Sequence, residues 1–224
     1  SLGTTRAIAE DRLTVESRPT ILTVVGAPGL PEYGGRFRDW AGRWRAVSKK
    51  AGADWIEIGL DDPNASTRHQ PTSDRDRLRS ILTEMGASSA ASAGPSAEHP
   101  KAPLWIVLIG HGTFDGKEAK FNLRGPDVSD TELAQWLAPI ARPLVVIDCA
   151  SASGPFLPRL SGSGRVIVTA TRSGDEQNAT RFGEAIAEAV ADDRADLDKD
   201  GQVSLLEAFL LAAGRTAESY RSKS

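Results

Sequence analysis

Apolar residues in this chain gather into short β-branched runs, separated by stretches in which apolar positions recur every three or four residues. The runs are Thr20 to Val25, Trp55 to Ile58, Leu104 to Ile109, Leu144 to Ile147 and Arg165 to Ala170. Short continuous apolar runs bounded by Gly, Pro or charged residues are the pattern of strands buried on both faces of a parallel sheet. Between the first two, Phe37, Trp40, Ala41, Trp44 and Val47 predict a helix, with Gly26 to Gly29 and Gly34-Gly35 as the loop before it. Leu78, Ile81, Leu82 and Met85 predict a second helix, capped by Ser73 with Asp76 three residues on. Ser129 and Glu132 form a capping-box pair ahead of Leu133, Trp136, Leu137 and Ile140. Ser151 to Leu160 reads as a turn into a short helix, and Phe182, Ile186, Ala189 and Val190 as a helix after the last strand. Strands alternating with helices predict an α/β fold, a parallel-dominated sheet with helices on both faces.

The remaining stretches are punctuation. Residues 1–18 are mixed and polar, an N-terminal arm. Asp61-Asp62-Pro63-Asn64 is a turn cluster, and residues 86–102 are a flexible low-complexity loop. Ala119 to Leu123 reads as one strand of a hairpin. Residues 19–191 thus form one main domain, and 192–224 a C-terminal unit packed on it.

Totals change this picture little. The chain has 224 residues, 27 basic and 30 acidic, for a net charge of −3, which argues against a general nucleic-acid partner. One Cys excludes an internal disulfide and a Cys-based zinc site. No apolar run approaches the roughly 18 residues of a membrane span. With Ser1 rather than Met at its head, the chain reads as a trimmed piece of a soluble protein, open to export with its signal segment removed. A monomer is expected.

Two of the strands stop at reactive residues. Leu104 to Ile109 runs into Gly110-His111-Gly112, and Leu144 to Ile147 into Asp148-Cys149, followed by the small residues Ala150 to Gly154. The carboxyl ends of strands are where open α/β sheets place ligands. A thiolate is the useful nucleophile, and a neighbouring imidazole can activate it and later protonate a leaving amine. The amides of Gly112 and Cys149, in tight turns beyond strand ends, are candidate oxyanion donors. Read singly, Cys149 is a small buried hydrophobe and His111 a satisfied polar residue.

Ile109-Gly110-His111-Gly112 followed by Val145-Val146-Ile147-Asp148-Cys149 resembles the caspase-like clan of cysteine peptidases, nearest the legumain-like family, over roughly Thr20 to Ala191. The resemblance implies a caspase-hydrolase-like fold and a thioester-forming endopeptidase acting on a peptide or protein substrate. In it His111 is general base and acid, Cys149 the nucleophile and Gly112 the oxyanion glycine. It also implies that Tyr33, Arg36, Arg38 and Ser173 line the substrate cleft. The family's acidic or amide residue two before the Cys is here Ile147, with Asp148 one residue out of register and on the opposite face. Asp148 is expected to hold loop amides. The departure at Ile147 keeps a second reading open, an inactive or weakly active caspase-like scaffold. A nucleotide-binding loop at Gly26, Gly29, Gly34 and Gly35 lacks the Gly-x-Gly-x-x-Gly spacing, and no Gly-x-Ser-x-Gly elbow occurs. His69 and His99 read as surface residues.

Asp196 to Glu207 fits the twelve-residue EF-hand calcium loop. Asp196, Asp198, Asp200 and Glu207 offer hard carboxylate oxygens, Gln202 a backbone carbonyl, and Gly201 the sharp turn. An EF-hand-like helix–loop–helix with structural Ca2+ is expected, the metal stabilising the C-terminal helices and taking no part in chemistry.

Overall fold

The computed structural model describes residues 18–60, 73–91, 101–176 and 180–222. Residues 1–17 of the N-terminal arm, the turn at Asp61 to Asn64, His69, and residues 92–100 of the low-complexity loop with His99 lie outside the described residues. The elements in chain order are β1 (Thr20–Val25), α1 (Pro31–Lys50), β2 (Asp54–Ile58), α2 (Asp74–Ala91), β3 (Leu104–Ile109), β4 (Gly112–Phe114), β5 (Ala119–Phe121), β6 (Val128–Ser129), α3 (Asp130–Leu137), β7 (Leu144–Asp148), α4 (Phe156–Leu160), β8 (Arg165–Thr169), α5 (Phe182–Ala189) and α6 (Leu205–Arg221).

Five strands form a sheet in the order β2-β1-β3-β7-β8, with every neighbouring pair parallel. Successive side chains alternate between its faces. Leu22, Val24, Ile106, Leu108 and Val146 join Leu78 and Leu82 of α2, Leu133 and Leu137 of α3 and Phe156 of α4 in one apolar layer. Ile21, Val25, Val107, Ile109 and Ile147 join Phe37, Trp40 and Trp44 of α1, Ile186 of α5 and Ala208 and Ala212 of α6 in the other. The result is three layers, helix on sheet on helix, with residues 192–222 packed into the same core.

At the amino ends of the strands the buried Arg142 guanidinium donates to the carbonyls of Arg18, Ala102 and Pro103 and to Thr20 Oγ1, and so bolts β1, β3 and β7 together. At the carboxyl end, β4, β5 and β6 form a small antiparallel sheet. It lies so close that a Cβ on Gly26 would sit 2.3 Å from the Asn122 carbonyl oxygen, and one on Gly110 3.0 Å from the Phe121 ring.

Two expectations about helix ends need correction. Gly34 and Gly35 lie within α1, not in the loop before it. Pro31 at the first helical position fixes the entry, and the rings of Tyr33 and Phe37 packed on His111 outweigh roughly 1 kcal/mol of helix penalty per glycine. Likewise α2 passes Gly86 and runs to Ala91, into the stretch expected to be a loop. Small residues there read as flexible by composition, but alanine is also the strongest helix former. The Ser73 cap holds: its hydroxyl accepts from Asp76 N at 3.1 Å and donates to Asp76 Oδ2 at 2.7 Å.

Candidate active site

The chain turns back across β1 between β2 and β3, so the sheet's topological switch point lies between the carboxyl ends of β1 and β3. His111 follows β3 at that point. Cys149 follows β7, which is hydrogen-bonded to β3. The two residues line one crevice together with Tyr33, Phe37, Trp40, Gly110 and Thr180. The sequence therefore predicted correctly that imidazole and thiol share a sheet end.

The two side chains meet different surroundings. Cys149 continues the alternation of Val145 and Ile147, so its side chain enters the layer under α1 and α5 and is 1% exposed. A Cβ on Gly183 would lie 3.0 Å from Cys149 Cβ and 2.6 Å from the Trp40 ring. The crevice has no room for a water-sized sphere. Burial first, then the neighbouring Asp148 carboxylate, pushes the thiol far above its usual range. His111 Nε2 lies 3.2 Å from the Pro28 carbonyl, and the imidazole meets the rings of Tyr33 (4.8 Å between centroids) and Phe37 (5.3 Å) edge-on.

The two amides expected as oxyanion donors, those of Gly112 and Cys149, each have a partner within the fold. Gly112 N donates to Ser151 Oγ at 3.0 Å, and that hydroxyl donates back to Gly112 O at 3.1 Å. Cys149 N extends the β3–β7 ladder, donating to Leu108 O at 2.9 Å. Gly112 also permits a close approach, since a Cβ there would lie 2.2 Å from Ser151 O. Asp148 is fully buried, on the face opposite Cys149. Its Oδ1 accepts from Ala150 N at 3.0 Å, as expected of a loop-holding residue, and its Oδ2 has no partner among the described residues. Burial raises its carboxyl to about 7 against that hydrogen bond.

The proposed cleft residues separate. Tyr33 touches His111. Arg36 stacks on Tyr33 and Trp40 and pairs with Glu184 at 3.3 Å, in an open charged crevice shared with Arg181, Glu188 and Arg215. Arg38 is exposed and does not line either crevice. Ser173 sits in the segment after β8, where its N donates to Glu176 Oε1 and its Oγ accepts from Asp175 N. Sequence reasoning missed Thr180, whose hydroxyl donates to Cys149 O at 2.6 Å, and the hydrogen bonds by which Ser151, Ser153 and Thr171 tie the turn after β7 to its neighbours. The run of small residues Ala150 to Gly154 was their only signal.

In the C-terminal loop, carboxylate oxygens of Asp196, Asp198 and Glu207 lie within 4.8 Å of one another. Asp196 Oδ1 is buried without a partner among the described residues. Hydrogen bonds from the Ser204 amide and hydroxyl, then from the Leu197 and Asp198 amides, lower the Glu207 carboxyl to about 2. Gly201 has φ 83°. Asp200 accepts from Gln202 N at 2.8 Å and stands apart from the three. The incoming half differs from an EF-hand, because α5 ends at Ala189 and a single 3-10 turn, Asp193–Ala195, leads into the loop. These residues fit a calcium ion by donor type and by the orphaned oxygen of Asp196.

No protein-family model matches the chain, and no curated protein matches it. Among solved structures it is similar to the crystal structure of the Drosophila initiator caspase Dronc, with 13% identity and a TM-score of 0.48. The match covers 78% of this chain and 65% of that one. Fold and site rest here on strand order and distances. Among the described residues, no helix is long and apolar enough to cross a membrane.

Proposed function

We propose that this chain is a caspase-like scaffold ordered by calcium, in which Cys149 serves the core rather than chemistry. The observation that carries this reading is the sealed thiol, 1% exposed between Trp40 and Gly183 with no space in front of it. A nucleophile needs a substrate within about 3 to 3.5 Å and a thiolate at neutral pH. Neither condition is met around Cys149. Calcium would be held by Asp196, Asp198 and Glu207, with Asp200 and the Gln202 carbonyl as further oxygens, and would fix the start of α6 against the loop after α5.

A second reading is a cysteine endopeptidase that is latent in this conformation. It is favoured by one fact: His111 and Cys149 line the same crevice at the ends of two paired strands. On that reading an opened crevice lets Cys149 attack a peptide carbonyl and His111 protonate the leaving amine. A peptide library varied at the residue before the cut, with and without calcium, separates the two. The scaffold reading expects no cleavage that disappears in Cys149→Ala. Cleavage lost in that variant overturns it in favour of the peptidase.

A further inference from the structure

β8 is the last strand of the five-stranded sheet, and among the described residues no strand pairs with its outer edge. Gly164 O accepts from Leu144 N and Ala170 N donates to Asp148 O, each at 2.9 Å. Alternate residues of a strand turn their backbone groups to the same neighbour. Val166 and Val168 are therefore turned to β7, while Ile167 and Thr169 hold N–H and C=O outward. Natural sheets blunt such an edge with Lys, Pro or a bulge. Val166-Ile167-Val168-Thr169 carries no charge and no Pro. The Arg165 guanidinium does not guard it either, because it donates to the carbonyls of Leu160 and Leu137.

This edge lies in an apolar groove of about 440 Å³. Leu205, Leu206 and Phe209 of α6 wall it on the face that carries Val166 and Val168. Leu157 of α4, whose neighbours Phe156 and Leu160 pack on the other face, borders it there. Leu157, Val166, Leu206 and Leu210 are 44, 50, 66 and 50% exposed. Those fractions leave on the order of 400 Å² of aliphatic side chain in water, the size at which an exposed apolar patch marks an interface. A two-fold axis doubles that area, and with the edge backbone the total reaches the roughly 1,000 Å² that a specific interface must clear. A lone peptide strand would cover the patch once only.

We propose that a second copy of this chain fills the groove, its β8 running antiparallel to the first about a two-fold axis through Ile167. Ile167 then stands opposite the partner's Ile167, and Val166 opposite the partner's Val168. The outward residues meet as hydrogen-bonded pairs, each N–H donating to the facing C=O. Opposed residues share a face of the sheet, so both α6 helices stand on the same face and turn Leu206 and Leu210 to the seam. The contact is isologous, one patch serving both copies. It replaces the monomer expected from the sequence. Neither the His111–Cys149 crevice nor the calcium loop supplies the pairing groups, so the dimer stands under either reading of function.

Sedimentation equilibrium of the full chain, from micromolar to submillimolar concentration, is expected to show a reversible dimer. Val166→Lys changes a half-exposed side chain, so the Tm in dilute solution should hold. The dimer dissociation constant is expected to rise at least tenfold, because the ammonium meets the partner's Val168. Ile167→Cys reads the register. It sets two thiols across the axis at the Cα separation of about 5.5 Å of a hydrogen-bonded pair, which a disulfide spans. Mild oxidation is expected to link these chains, and not those of Thr169→Cys, whose copies face Arg165 rather than each other. A chain that stays monomeric over the whole range would overturn the second copy as occupant and leave the edge to a strand of another protein. A dimer that Val166→Lys leaves intact and Ile167→Cys does not link would overturn it as well, since the contact would then lie elsewhere.

Discussion

At the scale of single residues, parity along β7 decides the chemistry of the sheet end. The sequence places Cys149 at the end of an apolar run, and that much was legible. Val145, Ile147 and Cys149 share one face, so the same alternation that makes the strand carries the thiol into the core. Asp148, on the other face, carries the testable consequence. Its folded-state carboxyl titrates at about 7, against about 3.9 in an unfolded chain. The folded protein therefore keeps a proton that the unfolded chain has lost between those values. The sign follows: stability falls as pH rises from about 4 to about 7 and the Asp148 contribution is level above that. The loss is on the order of a few kcal/mol. Urea unfolding at steps from pH 4.5 to 8.5 is expected to show this decline in wild type and a flatter profile in Asp148→Asn, which keeps the acceptor for Ala150 N but cannot ionise. An unchanged slope in the variant would assign the decline to other groups.

At the scale of elements, the chain announced its boundaries wherever a local device sets them and concealed them wherever packing does. The capping box before α3 is an instance of the first kind. Ser129 Oγ accepts from Glu132 N at 3.2 Å, and Glu132 Oε2 accepts from Ser129 N at 3.1 Å. Glu132 also pairs with Arg75 of α2, joining the two helices over one sheet face. Ser129→Ala should cost about 1 kcal/mol, read as a lower denaturation midpoint with unchanged slope, while Ser129→Asp retains most of the stability. A loss below about 0.3 kcal/mol in Ser129→Ala would mean the cap contributes little beside the tertiary contacts. The start of α1 is of the second kind. Two glycines signal a loop; beyond the entry fixed by Pro31, the rings of Tyr33 and Phe37 against His111, distant in sequence, hold the turn that includes them.

At the scale of the whole molecule, the C-terminal loop decides how firmly α6 is held to the body. The helix buries Ala208 and Ala212 and sets Phe209 edge-on against Phe182 at 6.0 Å, a modest apolar seat for seventeen residues. Asp192, at the edge of the loop, is neutralised by Arg194 and Arg215. Asp196, Asp198 and Glu207 remain as clustered carboxylates that repel one another without a cation. Glu207 titrates at about 2, so this charge persists throughout the neutral range. A bound calcium ion would turn that repulsion into a tie between the loop and the first turn of α6. Calcium at a hundredfold excess over its dissociation constant contributes about 2.7 kcal/mol. For a chain of this length that is a rise in Tm of roughly 5–10 °C. Chelator should remove the rise, and magnesium should reproduce little of it, because its strict octahedral demand suits this loop poorly. Glu207→Gln keeps one oxygen to accept from the Leu197 and Asp198 amides, gives up the acceptor of Ser204 N and removes the charge, so it should fold with a somewhat lower Tm in the absence of calcium and lose the calcium response. A Tm indifferent to calcium in wild type would sink the metal site and leave the loop as an acidic turn. A response of equal size in Glu207→Gln would move the ion away from the start of α6, and with it the role of calcium in seating that helix.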